Sequence, residues 1–243
     1  MSFFRALAFL TVIPSPRGRM ASPSEVGRSA SFFPLVGATL GLSLAGLDWL
    51  LGLALPPSFV NAGLLVVLIL LTGVLHLDGF IDTCDGLGGS RTPHERWEVM
   101  HDSRVGSFGV VGAICLLLLK YVCLGSLPGA SRLGGLILMP VLSRWAVVCS
   151  IFSFPYARPD GLGRVFKEQT SWSSLMLATL VTAVVSLGIF QMRGMALMLG
   201  VWLVAMALAT FLSRRFAGLT GDTYGAIVEV TEVVALMLVS LLP

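Results

Sequence analysis

The sequence predicts an all-α integral membrane protein, a polytopic bundle of about seven transmembrane helices that forms one domain over residues 1–243. Hydrophobic residues make up 56% of the chain and charged residues 12%, whereas an ordinary soluble domain carries about 25% charged residues. The mean hydropathy is +0.90. A helix needs roughly 17–25 mainly apolar residues to cross a bilayer, and seven segments meet this requirement: 31–54, 60–77, 107–125, 134–152, 173–190, 195–212 and 226–242.

The N-terminal segment "MSFFRALAFLTVIPSP" is too short to cross a bilayer before its prolines interrupt it. Its side chains Phe3, Phe4, Leu7 and Leu10 are spaced for one side of a helix. This pattern predicts an amphipathic helix on the membrane surface, with these side chains in the lipid. The alternative is a frayed start to the first span.

Basic residues are distributed unevenly between the two sides of the predicted bundle. If the N-terminus is inside, the inside loops hold twelve of the 16 Lys and Arg residues, and the outside loops hold Arg132 and Arg193. An excess of basic residues marks the cytoplasmic side. We therefore expect a multi-pass protein of the bacterial inner membrane with a cytoplasmic N-terminus. The twelve are Arg5, Arg17, Arg19, Arg28, Arg91, Arg96, Arg104, Arg158, Arg164, Lys167, Arg214 and Arg215.

Acidic residues are concentrated in two segments, 78–102 and 222–232, both at predicted cytoplasmic ends of spans. On a helix that turns 100° per residue, Asp78, Asp82 and Asp85 lie within about 60° of one another. Similar spacing predicts that three helices present carboxylates on one side of the membrane. The residues concerned are Asp78, Asp82, Asp85, Glu95, Glu98, Asp102, Asp222, Glu229 and Glu232.

Like charges at helical spacing repel one another, so the acidic faces require cations. Mg²⁺ or Mn²⁺ would bind carboxylate oxygens and keep positions open for phosphate oxygens. The alternative is a solvated surface with ion pairs to Arg91, Arg96 and Arg104. Nearby glycines favour a ligand or a tight helix contact, because they leave the backbone accessible. They are Gly79, Gly86, Gly88 and Gly89.

Four motifs follow one another along the chain: "FLTVIPSP", "LHLDGFIDTCDGLGG", "ERWEVMHDSRVGSFG" and "GLTGDTYGAIVEVTE". Together they resemble the cobalamin synthase family, also called adenosylcobinamide-GDP ribazoletransferase, over essentially the whole chain. The resemblance implies a Mg²⁺-dependent membrane enzyme. Such an enzyme transfers the corrinoid-linked phosphate of adenosylcobinamide-GDP to the 5′-hydroxyl of α-ribazole, or uses α-ribazole 5′-phosphate instead, and releases GMP.

Transfer of a phosphate group requires stabilisation of negative charge and removal of a proton from the attacking alcohol. Under this chemistry, Asp82 and Asp85 are the first expected Mg²⁺ ligands, Asp78 is the next, and Asp102 closes the site from a neighbouring helix. Glu229 or Glu232 would accept the proton of the ribazole hydroxyl or hold a second metal ion.

Substrate contacts are expected from basic residues and from positions within the motifs. Arg104 would reach a phosphate or pair with the neighbouring Asp102. Arg144 and Lys120 fall within apolar segments, where an ionisable group usually has a function; Arg144 is favoured, because a lysine side chain can extend to the interface. Gly86 and Asp222 are the remaining expected contacts.

Three further features are interpreted as structural. His76 is expected to be a buried structural histidine rather than a group that orients an aspartate. The segment "PYARPDGLGRVFKEQT" has the composition of a connector, which is favoured over a cover for a bulky substrate. The cysteines Cys84, Cys115, Cys123 and Cys149 are expected to be reduced thiols.

Other function classes remain as alternatives. The stretch "DTCDGLGGSR" is also similar to the CDP-alcohol phosphotransferases, but it departs from their motif at the alanine and arginine positions. An ion-coupled transporter would place its carboxylates near the bilayer midplane on broken helices, whereas the acidic residues here are predicted at cytoplasmic ends. The expected partners are the bilayer and the small-molecule substrates, with no nucleic acid. Self-association and a complex with other late cobalamin-pathway enzymes stay open.

Overall fold

The computed structural model describes residues 2–14, 22–89 and 92–242, so Arg17, Arg19 and Arg91 lie outside the described residues. The described part is helical, with one isolated β-bridge, which confirms the all-α class. A 3₁₀ helix at Arg28–Phe32 precedes α3. The helices are α1 (Ser2–Leu10), α2 (Pro23–Gly27), α3 (Phe33–Gly52), α4 (Pro57–Leu71), α5 (Leu75–Gly88), α6 (Pro93–His101), α7 (Ser107–Gly125), α8 (Gly129–Ser153), α9 (Leu162–Gln169), α10 (Trp172–Phe216) and α11 (Gly221–Ser240).

Five helices of the described part are long and apolar enough to cross a membrane, and the bent pair α4–α5 gives a sixth candidate. The long helix α10 is interrupted at Gln191, where φ is 53°. A Cβ atom on Gly194 would lie 2.0 Å from the carbonyl oxygen of Ser186, although a straight helix separates residues eight apart by about 12 Å. The chain therefore reverses at Gln191, and α10 is a hairpin. Its two legs raise the candidates from six to seven, the number of segments that the sequence predicts.

The predicted continuous span 60–77 is wrong, because the chain breaks between α4 and α5. These two helices meet at 90°. Gly73 and Val74 between them have φ angles of 58° and 63°, in the left-handed region that L-residues enter only as single residues and that interrupts a right-handed helix. The aspartate-rich segment is consequently a separate helix, whose first residue, Leu75, is exposed.

The two ends of the bundle carry different charged groups. At one end α5 and α8 finish, α7 and α11 start, and α10 has both the start of its first leg and the end of its second. Phe152 of α8 and Trp172 of α10, for example, have ring centroids 4.8 Å apart there. We call this end the acidic end. At the opposite end, Arg132 of α8 pairs with Asp48 of α3 at 2.7 Å. The acidic end carries Asp78, Asp82, Asp85, Asp102 and Asp222.

Helix α8 lies at the centre of the bundle, and 89% of its most apolar stretch is buried. It packs closely against α3 through glycines. A Cβ atom on Gly37 would lie 2.3 Å from the carbonyl oxygen of Pro140, and one on Gly41 would lie 2.6 Å from Cα of Ile137. Small residues at a helix interface allow backbones to approach this closely.

Glycines also bring α5 against α11. A Cβ atom on Gly79 would lie 2.8 Å from the carbonyl oxygen of Asp222, and one on Gly225 would lie 2.9 Å from that of His76. Of the two roles expected for glycines in this motif, Gly79 fulfils the tight helix contact. This contact places the start of α11 beside the aspartates of α5.

The N-terminal amphipathic segment is a helix, α1, but its apolar face is not left to the lipid alone. Leu10 is buried within the protein, whereas Phe4 is 47% exposed. Phe9 packs against Phe33 of α3 and Phe166 of α9, at centroid distances of 6.1 and 4.7 Å. The expectation that Leu10 enters the bilayer is therefore wrong, because aromatic rings of two other helices cover this side of α1.

Gly37→Ala is expected to destabilise the protein by about 1–3 kcal/mol, because the added methyl group meets backbone atoms of α8 that cannot rotate away. The measurement is the thermal unfolding midpoint of the detergent-solubilised protein. Gly46→Ala, on the same helix, is the matched control, since nothing lies within 4 Å of its Cβ position. Equal midpoints for the two variants would contradict the close packing of α3 on α8.

Candidate active site

The Asp85 carboxylate caps the N-terminus of α7. Its Oδ2 accepts a hydrogen bond from the Gly106 amide and its Oδ1 accepts one from the Gly109 amide, each at 2.8 Å. A Cβ atom on either glycine would come within 2.4 Å of an Asp85 oxygen, so these two positions require glycine. The amides and the positive end of the helix dipole balance the charge of Asp85.

Asp78 and Asp82 lack such compensation. Within residues 2–14, 22–89 and 92–242, neither carboxylate has a hydrogen bond or an ion pair. Asp78 is exposed and Asp82 is partly buried. The charges that act on Asp82 are the carboxylates of Asp78, Asp222 and Asp85 and the guanidinium of Arg158. This part of the acidic end therefore holds an excess of negative charge with free oxygens.

Arg158 supplies the positive charge that acts on the Asp82 carboxylate. Its Nη2 donates to Oδ2 of Asp222 at 3.2 Å, and its Nη1 lies 3.3 Å from Nε2 of His101. His101 Nδ1 lies 2.7 Å from the carbonyl oxygen of Trp97, so Nδ1 carries the proton and Nε2 accepts from Arg158. Arg158 thus joins α11 to the end of α6.

The segment that carries Arg158 was predicted as a plain connector, and the structure gives it a fixed position over the acidic end. Ala157 N donates to the carbonyl oxygen of Leu219, and Leu219 N donates to that of Pro155, each at 2.8 Å. These two bonds hold the chain after α8 against the turn between α10 and α11. Sequence reasoning used Arg158 only to assign the side of the membrane. The signal in the sequence that could have indicated this role was an arginine in a loop, two residues after Tyr156.

Among the cavities that described residues form at the acidic end, two are lined by aspartates. One has a volume of about 320 Å³ and combines polar groups with apolar walls. Its polar side chains are His76, Asp78, Arg158 and Asp222, with Tyr156 and Tyr224 also in the lining. The other is wider, about 770 Å³, and is lined by Asp85, Glu95, Glu98, Asp102 and Arg104, among others. Six of the predicted acidic residues are therefore divided between these two cavities, whereas Asp82, Glu229 and Glu232 line neither of them.

The sequence predicted that Asp102 continues the acidic face of α6, but the structure places it beyond the end of that helix. It is the C-cap, with an extended backbone (φ −70°, ψ 125°). Nε and Nη2 of Arg104 donate to its carboxylate at 3.0 and 2.7 Å, and these bonds lower the pKa of Asp102 to about 2. Of the two roles expected for Arg104, the structure shows the ion pair with Asp102.

Gly86 is buried under α6. A Cβ atom there would lie 2.9 Å from Cγ of Met100 and 3.1 Å from Cε1 of Phe216, and the Gly86 carbonyl accepts a hydrogen bond from Nη1 of Arg96 at 2.8 Å. Side chains of α6 and α10 therefore occupy the space beside Gly86 where the substrate was expected.

Four charged side chains form a closed network inside the bundle. Nζ of Lys120 donates to Oε2 of Glu229 at 2.6 Å and also contacts Glu232. Nη1 of Arg144 donates to Glu232 and to Oγ of Ser143. The four charged side chains are between 1% and 8% exposed, and two cations balance two carboxylates.

This ionic network changes the roles expected for its members. Glu229 and Glu232 were predicted to accept a proton or hold a second metal ion, and Arg144 to contact the substrate. Their charged groups instead contact one another, away from Asp82. Lys120 does not extend to an interface, because its ammonium group is held by both glutamates.

The residues fit Mg²⁺ by donor chemistry. Asp78, Asp82 and Asp222 supply carboxylate oxygens, the donors that Mg²⁺ takes, and two of these side chains have no protein partner in the described residues. Across the described ranges, no group of three His, Cys, Asp or Glu side chains is already arranged to hold a metal ion. Mg²⁺ therefore stays a prediction.

Several apolar helices define a multi-pass membrane protein, and uncompensated carboxylates with an arginine around a cavity at one end make that end its candidate active site. The chain belongs to the family described as cobalamin-5-phosphate synthase, whose family model matches residues 2–240. This confirms the resemblance carried by the four motifs and identifies a transferase of cobalamin biosynthesis.

Curated relatives named adenosylcobinamide-GDP ribazoletransferase are similar over nearly the whole chain. The relative from Desulforamulus reducens is 40% identical over 97% of this chain and 94% of its own. The one from Geotalea daltonii is 39% identical over 97% and 95%, and the one from Thermosynechococcus vestitus is 42% identical over 97% and 93%. No solved structure matches the chain.

Lys120→Met is expected to destabilise the protein by about 3–5 kcal/mol, because it leaves two buried carboxylates with one cation. The measurement is the thermal unfolding midpoint in detergent. The double variant Lys120→Met, Glu229→Gln is the control, since it removes one charge of each sign and should recover much of the loss. A double variant no more stable than the single one would show that charge balance is not the cause.

Proposed function

We propose that this enzyme transfers the corrinoid-linked phosphate of adenosylcobinamide-GDP to a ribose hydroxyl of α-ribazole, or of its 5′-phosphate, with release of GMP and with Mg²⁺ as cofactor. In the 5′-phosphate the 5′-oxygen already carries a phosphate group, so the attacking group there is another hydroxyl of the ribose. The observation that carries this proposal is that Asp78 and Asp222 line a cavity of the acidic end together with Arg158, and that the charges of all three act on the Asp82 carboxylate. Family membership and the printed names of the relatives support the reaction.

Asp82 and Asp222 would hold Mg²⁺ in this reaction, and the Asp78 carboxylate would stay free for the proton of the attacking hydroxyl. The bound ion neutralises charge on the phosphate oxygens of the substrate and on the departing GMP. Asp85 and Asp102, which were also expected as ligands, have donors of their own in the N-terminus of α7 and in Arg104. Their function in this proposal is to fix α5 to α7 and to order the chain after α6.

Arg158 would bind a phosphate oxygen of the diphosphate. A guanidinium forms strong, directed hydrogen bonds to phosphate, and Arg158 is 17% exposed at the cavity. In the free protein Asp222 holds it at 3.2 Å. The substrate would therefore take over a guanidinium that the protein already keeps in position.

The proton of the attacking hydroxyl requires a carboxylate that is not already neutralised. Glu229 and Glu232 are closed in ion pairs with Lys120 and Arg144. Asp78 lines the cavity, is exposed and has no hydrogen-bond donor in the described residues. We assign the acceptance of the hydroxyl proton to the Asp78 carboxylate.

The acidic end would face the cytoplasm. Support comes from the excess of Lys and Arg residues in loops on that side of the sequence-predicted topology. Both substrates are water-soluble, and the two cavities lie at the end of the bundle rather than within it. This orientation gives both substrates direct access from the cytoplasm of a bacterial inner membrane.

An ion-coupled transporter remains the alternative to compare, because the broken pair α4–α5 and the deep charged side chains are also features of transporters. The deep charges, however, pair with one another as two cations and two carboxylates. A coupling ion would need a carboxylate that this network does not leave free.

Asp82→Asn should reduce GMP release from adenosylcobinamide-GDP by more than about 100-fold, because it removes a proposed metal ligand. GMP is measured by chromatography in reconstituted membranes, with Mg²⁺ and α-ribazole each present or omitted. Wild-type protein should need both. Glu98→Gln, in an exposed position of α6, is the control and should remain active. An active Asp82→Asn enzyme would rule out this assignment.

Arg158→Ala should lower kcat/KM for adenosylcobinamide-GDP by about 10- to 100-fold, the value of a charge-assisted hydrogen bond to phosphate. Arg215→Ala is the matched control, because Arg215 is an exposed arginine of the same end that stacks on Phe211. If both variants behave alike, general positive charge rather than Arg158 attracts the substrate.

A further inference from the structure

The cavity that contains Asp78 and Arg158 has a second, apolar half. Its walls come from three helices that are distant in sequence, with Phe9 and Leu10 from α1, Phe33 from α3 and Phe166 from α9. The rings of Phe33 and Phe166 lie 5.3 Å apart, edge to face. On the side of α11, Tyr224 completes the wall. Aromatic walls of this kind suit a flat ring, which packs face or edge against them.

Three polar atoms on residues that line this cavity are buried and have no hydrogen-bond partner within the described part of the chain. They are Nε2 of His76, Oη of Tyr224 and Nε of Arg158. His76 is 6% exposed and Tyr224 is 7% exposed. Buried polar atoms nearly always have partners, so three residues of this lining carry hydrogen-bonding groups that no described group uses.

The volume limits which part of the substrates fits. A volume of about 320 Å³ is at the lower end of the roughly 300–1,000 Å³ range of ligand pockets. It accommodates a nucleoside, whereas a corrinoid ring system is several times larger. The apolar half also disfavours guanine, whose edge carries several donors and acceptors that would need partners there. A benzimidazole base has an apolar rim and needs few.

We propose that this cavity is the site of the acceptor nucleoside. The benzimidazole base of α-ribazole lies against the apolar wall that Phe9 forms in front of Phe33 and Phe166, and the ribose lies on the side of Tyr224 and His76. A ribose hydroxyl then points to the polar half, where Asp78 is found. This assignment rests on the proposed ribazole transfer, and it gives His76 a role in substrate binding rather than in structure alone.

The first test separates the two substrates kinetically. Tyr224→Phe removes one hydroxyl from the cavity and keeps the ring. It should raise KM for α-ribazole by about three- to tenfold, the effect of one lost hydrogen bond, and leave KM for adenosylcobinamide-GDP unchanged. Tyr121→Phe, on α7 and outside the cavity lining, is the control. A raised KM for adenosylcobinamide-GDP alone would assign the cavity to the guanosine and overturn the proposal.

The second test measures binding without turnover. Equilibrium dialysis of the purified full chain with α-ribazole, in the absence of the corrinoid substrate, should give saturable binding that Tyr224→Phe weakens to the same extent. Guanosine in excess should not displace the nucleoside. Displacement by guanosine, or an unchanged affinity of the variant, would overturn the assignment.

The third test changes the size of the base pocket. Ile151 is 1% exposed and lines the cavity, so Ile151→Ala should shift the preference among ribazole analogues toward bulkier bases. The thermal unfolding midpoint shows whether this variant is folded. A folded variant with the wild-type order of preference would contradict the proposed position of the base. Failure of the wild type to release GMP would instead reject the ribazole transfer itself.

Discussion

The ion pairs among Lys120, Glu229, Glu232 and Arg144 hold together the part of the bundle on which the site is built. They join α7, α8 and α11 at positions that are at most 8% exposed. A single charge in such a place is very unfavourable, but a cation and a carboxylate in contact neutralise each other. Because α11 is fixed in this way, its first turn, with Asp222, stays beside α5.

The carboxylates of the chain differ in what neutralises them, and this difference separates structural from functional acids. Glu229 and Glu232 have buried cations, Asp85 has the amide groups at the start of α7, and Asp102 has Arg104. Asp78 and Asp82 have none of these within the described residues. Negative charge that the fold itself leaves uncompensated is the feature that a divalent cation and a diphosphate can use.

Much of the fold followed from hydropathy, because long apolar helices leave a strong local signal. The break before Leu75 did not, since one glycine in an apolar run gives little warning that Gly73 and Val74 adopt left-handed angles. The identity of the acidic residues was also predictable, but their partners were not. Lys120 meets Glu229 across 109 positions of sequence, and the position of Arg158 depends on a backbone pairing with the segment before α11; neither contact has a local pattern.

Helix α1 has two different neighbours. Phe4 on one side is 47% exposed, in a chain whose outer surface is largely apolar, while Phe9 and Leu10 on the other side line the smaller cavity. A wall of the cavity is thus a short helix whose outer face needs an apolar surrounding. Micelles and bilayers pack differently against such a helix. The kinetic constants of this enzyme should therefore depend on the surrounding lipid or detergent as well as on the chain.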